Sequence, residues 1–329
     1  MTDRNEKRQE LARLLLGTED HYSMSEVINI TGVDPEFARK LWRSIGLPET
    51  GEDKAYGEPD IAALNTILSA INLEIINEKT LIRLTRALGT TMARLADWQV
   101  STLASEIEAQ VDEGKIDSRL DGALDLARTV TPAFDGLLLY VWRRHLTAAV
   151  MRMEALGAGD DDLLSAELTV GFADLVRFTK LSSSIDEIAL GELVEEFESV
   201  ANDVISTSGS RVIKTLGDAV LFVSPDANTA VDTALRIISQ FSQSDSLPDV
   251  RVGLATGSVI NRLGDIFGTP VNLAARLTAV ARRNRVITDR ATADKLGEQF
   301  ETRVLPARPI NGFGKLEPVT VRRRWAYSD

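Results

Sequence analysis

Two aspartates stand out by their settings. Asp174 closes the apolar run LTVGFA ahead of LVRFT, and Asp218 lies in KTLGDAVLF, where Leu-Gly-Asp-Ala joins two β-like runs as a tight hairpin. Singly, each has an ordinary explanation, a helix N-cap for the first and turn chemistry for the second. As a pair they imply more. If the strand ending at Asp174 is central and pairs with the hairpin, both carboxylates arrive at one sheet edge, where they repel unless a divalent cation with oxygen ligands lies between them. The backbone N–H groups of the turn from Leu175 to Thr179, with Phe178 and Thr179 at its far side, are then placed to hold a phosphate that shares the metal. That is equipment for phosphoryl chemistry.

Further along, LGDIFGTPVNLAARL puts Asp265 in a Gly-rich loop and Asn272 and Arg276 on a helix opened by Pro270. Residues four apart share a helix face, so Asn272 and Arg276 point the same way. A solvated Asn or Arg is unremarkable, and these matter because they accompany the acids.

The elements that must position these groups fall into two halves. From Glu6 to about Leu156 apolar residues recur at helical spacing, as in ELARLLL, DIAALNTILSAINLEI, LTRALGTTMARLADWQVSTLASEI and GLLLYVWRRHLTAAVMRMEAL. This predicts an all-helical domain over 1–156. The Gly-Ala-Gly-Asp-Asp-Asp run then reads as a helix stop and acidic linker at 157–163. Over 164–329, AELTVGFAD, SRVIKTLG, DAVLFVS, VRVGLATGSVI and PVTVRRRWA read as strands, with LVEEFESVANDVIST and ANTAVDTALRIISQF as helices between them. Strand, helix, hairpin, helix, strand is the order of an α+β, ferredoxin-like sheet, expected with helices on one face.

Bulk properties narrow the function classes. With 44% hydrophobic and 26% charged residues over 329 positions, the chain has the profile of folded domains. A net charge of −12 disfavours general affinity for nucleic acid or anionic membranes. Cysteine is absent, which excludes disulfides and thiolate chemistry and is compatible with a cytoplasmic location. The charged N-terminus MTDRNEKRQE lacks the apolar core of a signal peptide, and runs such as GLLLYVW are too short to span a bilayer.

The second half resembles the class III adenylyl and guanylyl cyclases from about Ala166 to Trp325. The matching motifs are GFADLVRFT, KTLGDAVLFV, RVGLATGSV and GDIFGTPVNLAARL, with Asp174 and Asp218 forty-four residues apart and Lys214 four before the second acid. The resemblance implies an adenylate cyclase, a phosphorus–oxygen lyase that converts ATP into cyclic AMP and pyrophosphate. It implies that Asp174 and Asp218 bind two divalent metal ions, Mg²⁺ or Mn²⁺, which activate the ribose 3′-hydroxyl and neutralise the departing pyrophosphate. Lys214 and Asp265 match the pair that reads the purine. A lysine donor suits adenine N1 and a carboxylate suits the 6-amino group, which favours ATP over GTP. Asn272 matches the residue that orients the ribose, and Arg276 the one that stabilises charge on the α-phosphate. The segment NGFGKLEPV only loosely resembles the region where relatives place a lysine on the triphosphate, a role open for Lys315. The family also implies a head-to-tail homodimer, each site taking Asp174 and Asp218 from one chain and Lys214, Asp265, Asn272 and Arg276 from the other.

The first half supports a rival reading. SMSEVINITGVDPEFARKLWRSIGLP followed by GEPDIAALN has the rhythm of a MerR-like helix-turn-helix, which would suit a nucleotide-responsive DNA-binding regulator. Against it, Glu26, Asp34, Glu36 and Glu49 outnumber Arg39, Lys40 and Arg43, and no basic wing follows. The same half resembles the helical N-terminal regulatory domain of soluble actinobacterial adenylyl cyclases in FARKLWRSIGLP, ALGTTMARLADWQV and YVWRRHLTAA. That implies control of the cyclase by a signal, which in some relatives is pH. His21 and His145 are the only histidines, the residue type that ordinarily titrates near neutrality, and His145 lies on the helix leading to the linker. Its protonation is the regulatory candidate.

Overall fold

The computed structural model describes residues 2–18, 21–48, 50–51, 53–155, 165–244, 246–262 and 264–324. Contacts divide the chain into two compact units, Met1–Ala149 and Val150–Asp329. The expected linker at 157–163 lies outside the described residues.

Among the described residues the regular elements of the first unit are all helices, as the periodicity predicts: α1 (Thr2–Leu16), α2 (Met24–Thr31), α3 (Pro35–Ile45), α4 (Glu58–Asn72), α5 (Glu78–Asp112), α6 (Arg119–Thr129) and α7 (Thr131–Ala155), the last crossing the unit boundary. Local chemistry sets the α2–α3 corner. Ser23 and Glu26 form a capping box, Gly32 closes α2 in the left-handed region, and Asp34 caps α3 with Pro35 in its first turn. Val27, Leu41, Trp42 and Leu64 fill the core beneath, and an antiparallel bridge pairs Tyr22 with Tyr56. On α3, Lys40 is bound to Glu78 at 2.7 Å.

The second unit opens with β1 (Ser165–Leu175), then α8 (Phe178–Ser182), α9 (Glu187–Thr207), β2 (Arg211–Thr215), β3 (Ala219–Ser224), α10 (Ala227–Ser242) and β4 (Val250–Arg262). It continues with β5 (Asp265–Phe267), α11 (Thr269–Val280), β6 (Val286–Thr288), α12 (Arg290–Ala293), β7 (Phe300–Val304), β8 (Arg308–Ile310), β9 (Gly314–Leu316) and β10 (Val319–Arg323). The main sheet has the order β2-β3-β1-β4-β6-β10-β7, with β5 pairing β4, while β8 and β9 form a separate ribbon. β4 and β6 run parallel and the other named pairs run antiparallel. Its first four strands in space, β2-β3-β1-β4, are the expected ferredoxin-like core.

Alternation along the strands separates two apolar layers. Ala173, Leu175, Val220 and Phe222 point to one face, where α9 contributes Phe197, Ala201 and Ile205 and α10 contributes Ala230, Ala234, Ile237 and Phe241. These recur every three or four residues along each helix, and burying each large side chain contributes about 2 kcal/mol. Val170, Phe172, Leu221 and Val223 point to the opposite face, beneath Ala274 of α11. Helices on one face is therefore corrected to helices on both. The close seat of α11 depends on Gly253, where an added Cβ would come within 2.3 Å of the Thr278 backbone nitrogen. The Thr278 hydroxyl, which donates to Ala274 C=O at 2.8 Å, also lies 3.3 Å from the Phe172 carbonyl, holding the helix against the central strand. Among the described residues no helix is long and apolar enough to cross a membrane.

Candidate active site

The central strand delivers Asp174 one residue before its end, paired across the sheet with Ala219 on one side and Arg251 on the other. The β2–β3 turn delivers the second acid. Gly217 takes φ +74°, a conformation that L side chains disfavour, and Leu216 N–H donates to Ala219 C=O at 2.7 Å. Leu175 N–H then donates to the Asp218 carbonyl at 2.9 Å, which pins the hairpin tip beside the end of β1. The two acids are thus neighbours, as the sequence predicts.

Arg251 is the unexpected member of this group. Its Nε and Nη2 reach the same Asp174 oxygen, Oδ2, at 2.6 and 2.5 Å, while Nη1 donates to Ala279 C=O of α11 at 3.2 Å. Asp174 is only 16% exposed, and burial raises its carboxyl above the ordinary value of 3.8. The hydrogen bond and charge of Arg251 offset part of that rise, and the nearby Asp218 charge adds to it. A guanidinium therefore supplies the countercharge at this edge. Sequence reasoning missed Arg251 although it opens the RVGLATGSV run, because its role depends on β1–β4 register.

The donor set fits a hard divalent cation. Asp174 keeps Oδ1 free of Arg251, Asp218 lies alongside, and no cluster of three or more potential metal-binding side chains occurs among the described residues. Two carboxylates suit a magnesium-like ion that keeps waters and takes phosphate oxygens as its remaining ligands.

The turn expected to hold a phosphate offers fewer N–H groups than the sequence predicts. Leu175 N–H is bound to Asp218 and Val176 N–H to Asp249 C=O at 2.8 Å, so these two are committed to the backbone. Arg177, at φ +64°, reverses the chain and leaves the N–H groups of Arg177, Phe178 and Thr179 for a ligand. Phe178 packs its ring against the α9–α10 core and Thr179 is exposed.

Lys214 and Asp265 come together. A register shift between Val212 and Lys214 re-aims the end of β2, and Lys214 Nζ donates to Asp265 Oδ2 at 2.5 Å. Ile266 N–H holds the other carboxylate oxygen at 2.9 Å. Both side chains remain about one-third exposed, 37% and 32%, open to a ligand that offers one acceptor and one donor.

Asn272 and Arg276 share the outward face of α11, whose opposite face buries Pro270, Ala274, Leu277 and Thr278. Neither side chain bonds to Asp174, Asp218, Lys214 or Asp265. Lys315 is exposed on β9, across from Pro309, and His145 is exposed on α7.

Comparison with known proteins gives this constellation its setting. Residues 164–322 match the adenylate and guanylate cyclase catalytic domain. An adenylate cyclase of Streptomyces coelicolor is 35% identical, the match covering 95% of this chain and 89% of that protein. One from Streptomyces griseus is 38% identical, covering 87% of this chain and 71% of that protein. A pH-sensitive adenylate cyclase of Mycobacterium tuberculosis is 30% identical, covering 88% of this chain and 74% of its own. The chain therefore belongs to the class III adenylyl cyclases of actinobacterial type, with a helical region ahead of the catalytic domain. It is an enzyme with adenylate cyclase activity. Because the likeness extends through the first unit, the helix-turn-helix-like corner belongs to a cyclase, and the DNA-binding reading is not favoured.

Proposed function

We propose that the chain converts ATP into 3′,5′-cyclic AMP and pyrophosphate at two equivalent sites shared by a head-to-tail homodimer. One copy supplies Asp174 and Asp218, the other Lys214, Asp265, Asn272 and Arg276. The observation that carries this reading is that the parts form no single bonded cluster: the acids are joined at one sheet edge, Lys214 is bound to Asp265, and Asn272 and Arg276 are exposed on α11. Exposed apolar side chains accompany both pairs, Leu216 at the hairpin tip and Phe267 beside Asp265, as expected of surfaces that a second catalytic unit covers.

Asp174 and Asp218 would hold a pair of Mg²⁺ or Mn²⁺ ions, which supply activation of the ribose 3′-hydroxyl and neutralisation of the triphosphate. Arg251 would yield Asp174 to the cations, and its bond to Ala279 C=O of α11 would keep the guanidinium at the same sheet edge. Lys214 donates to adenine N1 and Asp265 accepts from the 6-amino group. Asn272 orients the ribose, and Arg276 meets charge that develops at the α-phosphate, where such a contact is worth roughly 10²-fold in rate. The ribose 3′-oxygen bonds to the α-phosphorus, its proton passes to solvent, and the bond to the β-phosphate oxygen breaks with that oxygen keeping the electron pair. Incubating the purified protein with ATP or GTP and Mn²⁺ tests this. Cyclic AMP is the expected product, and cyclic GMP alone, or no cyclic nucleotide, overturns the reading.

The helical unit regulates the catalytic one, with His145 as its pH-responsive group. Tyr140, Trp142 and Leu146 are exposed around His145 on α7, and Arg143 and Arg144 precede it, so a surface that covers this helix must accommodate the imidazole's charge. The pH-sensitive relative supports this sense of control. His145→Ala should flatten the pH dependence of the full-length enzyme relative to its catalytic unit, and coincident wild-type and variant profiles overturn the assignment.

A further inference from the structure

Val176 N–H is fixed by the Asp249 carbonyl at 2.8 Å, immediately before the three N–H groups left for phosphate. What fixes Asp249 is Asn284, in the loop between α11 and β6. Asn284 Nδ2 donates to Asp249 Oδ1 at 2.6 Å, and Asn284 N–H donates to the Val250 carbonyl at 2.7 Å. Its backbone is left-handed at φ +53°, a region that asparagine tolerates better than most residues. Its Oδ1 is buried with no donor. The Asp249 carboxylate can only accept, so this bond dictates the amide's orientation even though an acceptor is left idle. The next residue on β4 is Val250, and after it comes Arg251, bound to Asp174 and to Ala279.

We propose that Asn284 is a positioning residue for the nucleotide's phosphates, acting through Asp249. A backbone in the left-handed region alone would be served by glycine. The side-chain bond adds a charge-assisted clamp on the residue whose carbonyl sets where the 177–179 turn begins. Arg283 contributes a longer contact to the other Asp249 oxygen, 3.7 Å, so Asn284 is the close partner. The inference rests on the reading of this turn as the triphosphate's seat.

The test uses the full-length enzyme with Mn²⁺ and three variants: Asn284→Gly, Asn284→Asp, and Asn284→Asp combined with Asp249→Asn. Asn284→Gly keeps the backbone and deletes the clamp, and should raise KM for ATP and the inhibition constant of pyrophosphate together by about tenfold, the scale of one hydrogen bond to a charged group. Inhibition by adenosine, which carries no phosphate, should stay within about twofold of wild type. Asn284→Asp sets two carboxylates together and should be worse. The double exchange restores a donor–acceptor pair of reversed polarity and should return both constants to within about threefold of wild type. Should Asn284→Gly not fold, the single and double Asp variants decide the matter by the same constants. Unchanged ATP and pyrophosphate constants, equal weakening of pyrophosphate and adenosine, or a folded double variant no better than Asn284→Asp each overturn the assignment. Failure of the underlying reading looks different: Thr179→Pro, which removes one of the turn's own N–H groups, would then also leave both constants unchanged.

Discussion

Replacing Arg251 with alanine separates two effects that a purely structural arginine would not produce together. The guanidinium is 30% exposed and Asp174 16%, so their contact is partly buried and is screened less than a surface pair. Breaking a fully buried pair costs about 3–5 kcal/mol, and discounting for partial exposure leaves about 2 kcal/mol in the metal-free protein. For a unit of this size that corresponds to a fall of about 4–8 °C in the melting transition of the catalytic unit. Metal affinity should move the other way. Arg251 competes with a cation for Asp174, so the variant should bind Mn²⁺ without nucleotide about tenfold more tightly at pH 8, equivalent to about 1.4 kcal/mol. Differential scanning fluorimetry and isothermal titration with Mn²⁺ read the two quantities separately. An unchanged melting temperature, or metal affinity that is unchanged or weaker, refutes Arg251 as the countercharge at Asp174.

Other outcomes follow from the same geometry. A cation binds only ionised Asp174, whose carboxyl lies above 3.8, so Mn²⁺ affinity should be full above that raised value and fall about tenfold per pH unit below it. Arg251→Ala removes a lowering influence and should shift this acid limb to higher pH, whereas a limb at the position of an ordinary carboxylate contradicts the burial argument. Lys214→Glu with Asp265→Asn reverses the hydrogen-bond polarity offered to the purine and should shift the ATP:GTP ratio of kcat/KM toward GTP by about 10²-fold, two bonds at tenfold each. An unchanged ratio would remove these residues from base recognition.

Much of this site was legible because its acids sit on short local signals. An apolar run ending in Asp174 and a Leu-Gly-Asp-Ala turn at Asp218 carry the chemistry within a few residues each. The ferredoxin-like order was equally visible, since α9 and α10 have strong apolar periodicity. What escaped depends on contacts far apart in sequence. α11 pairs a polar outward stripe with a buried one, a pattern that does not say which sheet face receives it, and Gly253 and Thr278 decide that in space. β6 has only three residues, Val286–Thr288, too few for an alternation pattern to register. Arg251 and Asn284 gain their meaning from register and loop closure, so neither could be assigned from its neighbours along the chain. The turn after Asp174 has fewer free N–H groups than its sequence suggests for the same reason: Asp218 and Asp249 claim two of the five through backbone bonds.

Subunit mixing tests the shared site most directly. Asp174→Ala and Arg276→Ala homodimers should each be nearly inactive, one lacking a metal carboxylate at both sites and the other the α-phosphate cation. A mixed dimer places both lesions in one site and leaves the other intact. With random exchange about half the dimers are mixed, so activity should return to roughly a quarter of wild type by the twofold symmetry. Exchange would be verified by differently tagged chains co-purifying. Recovery near that level is the result the shared-site account predicts, and demonstrated exchange with no recovery of cyclic AMP formation contradicts it.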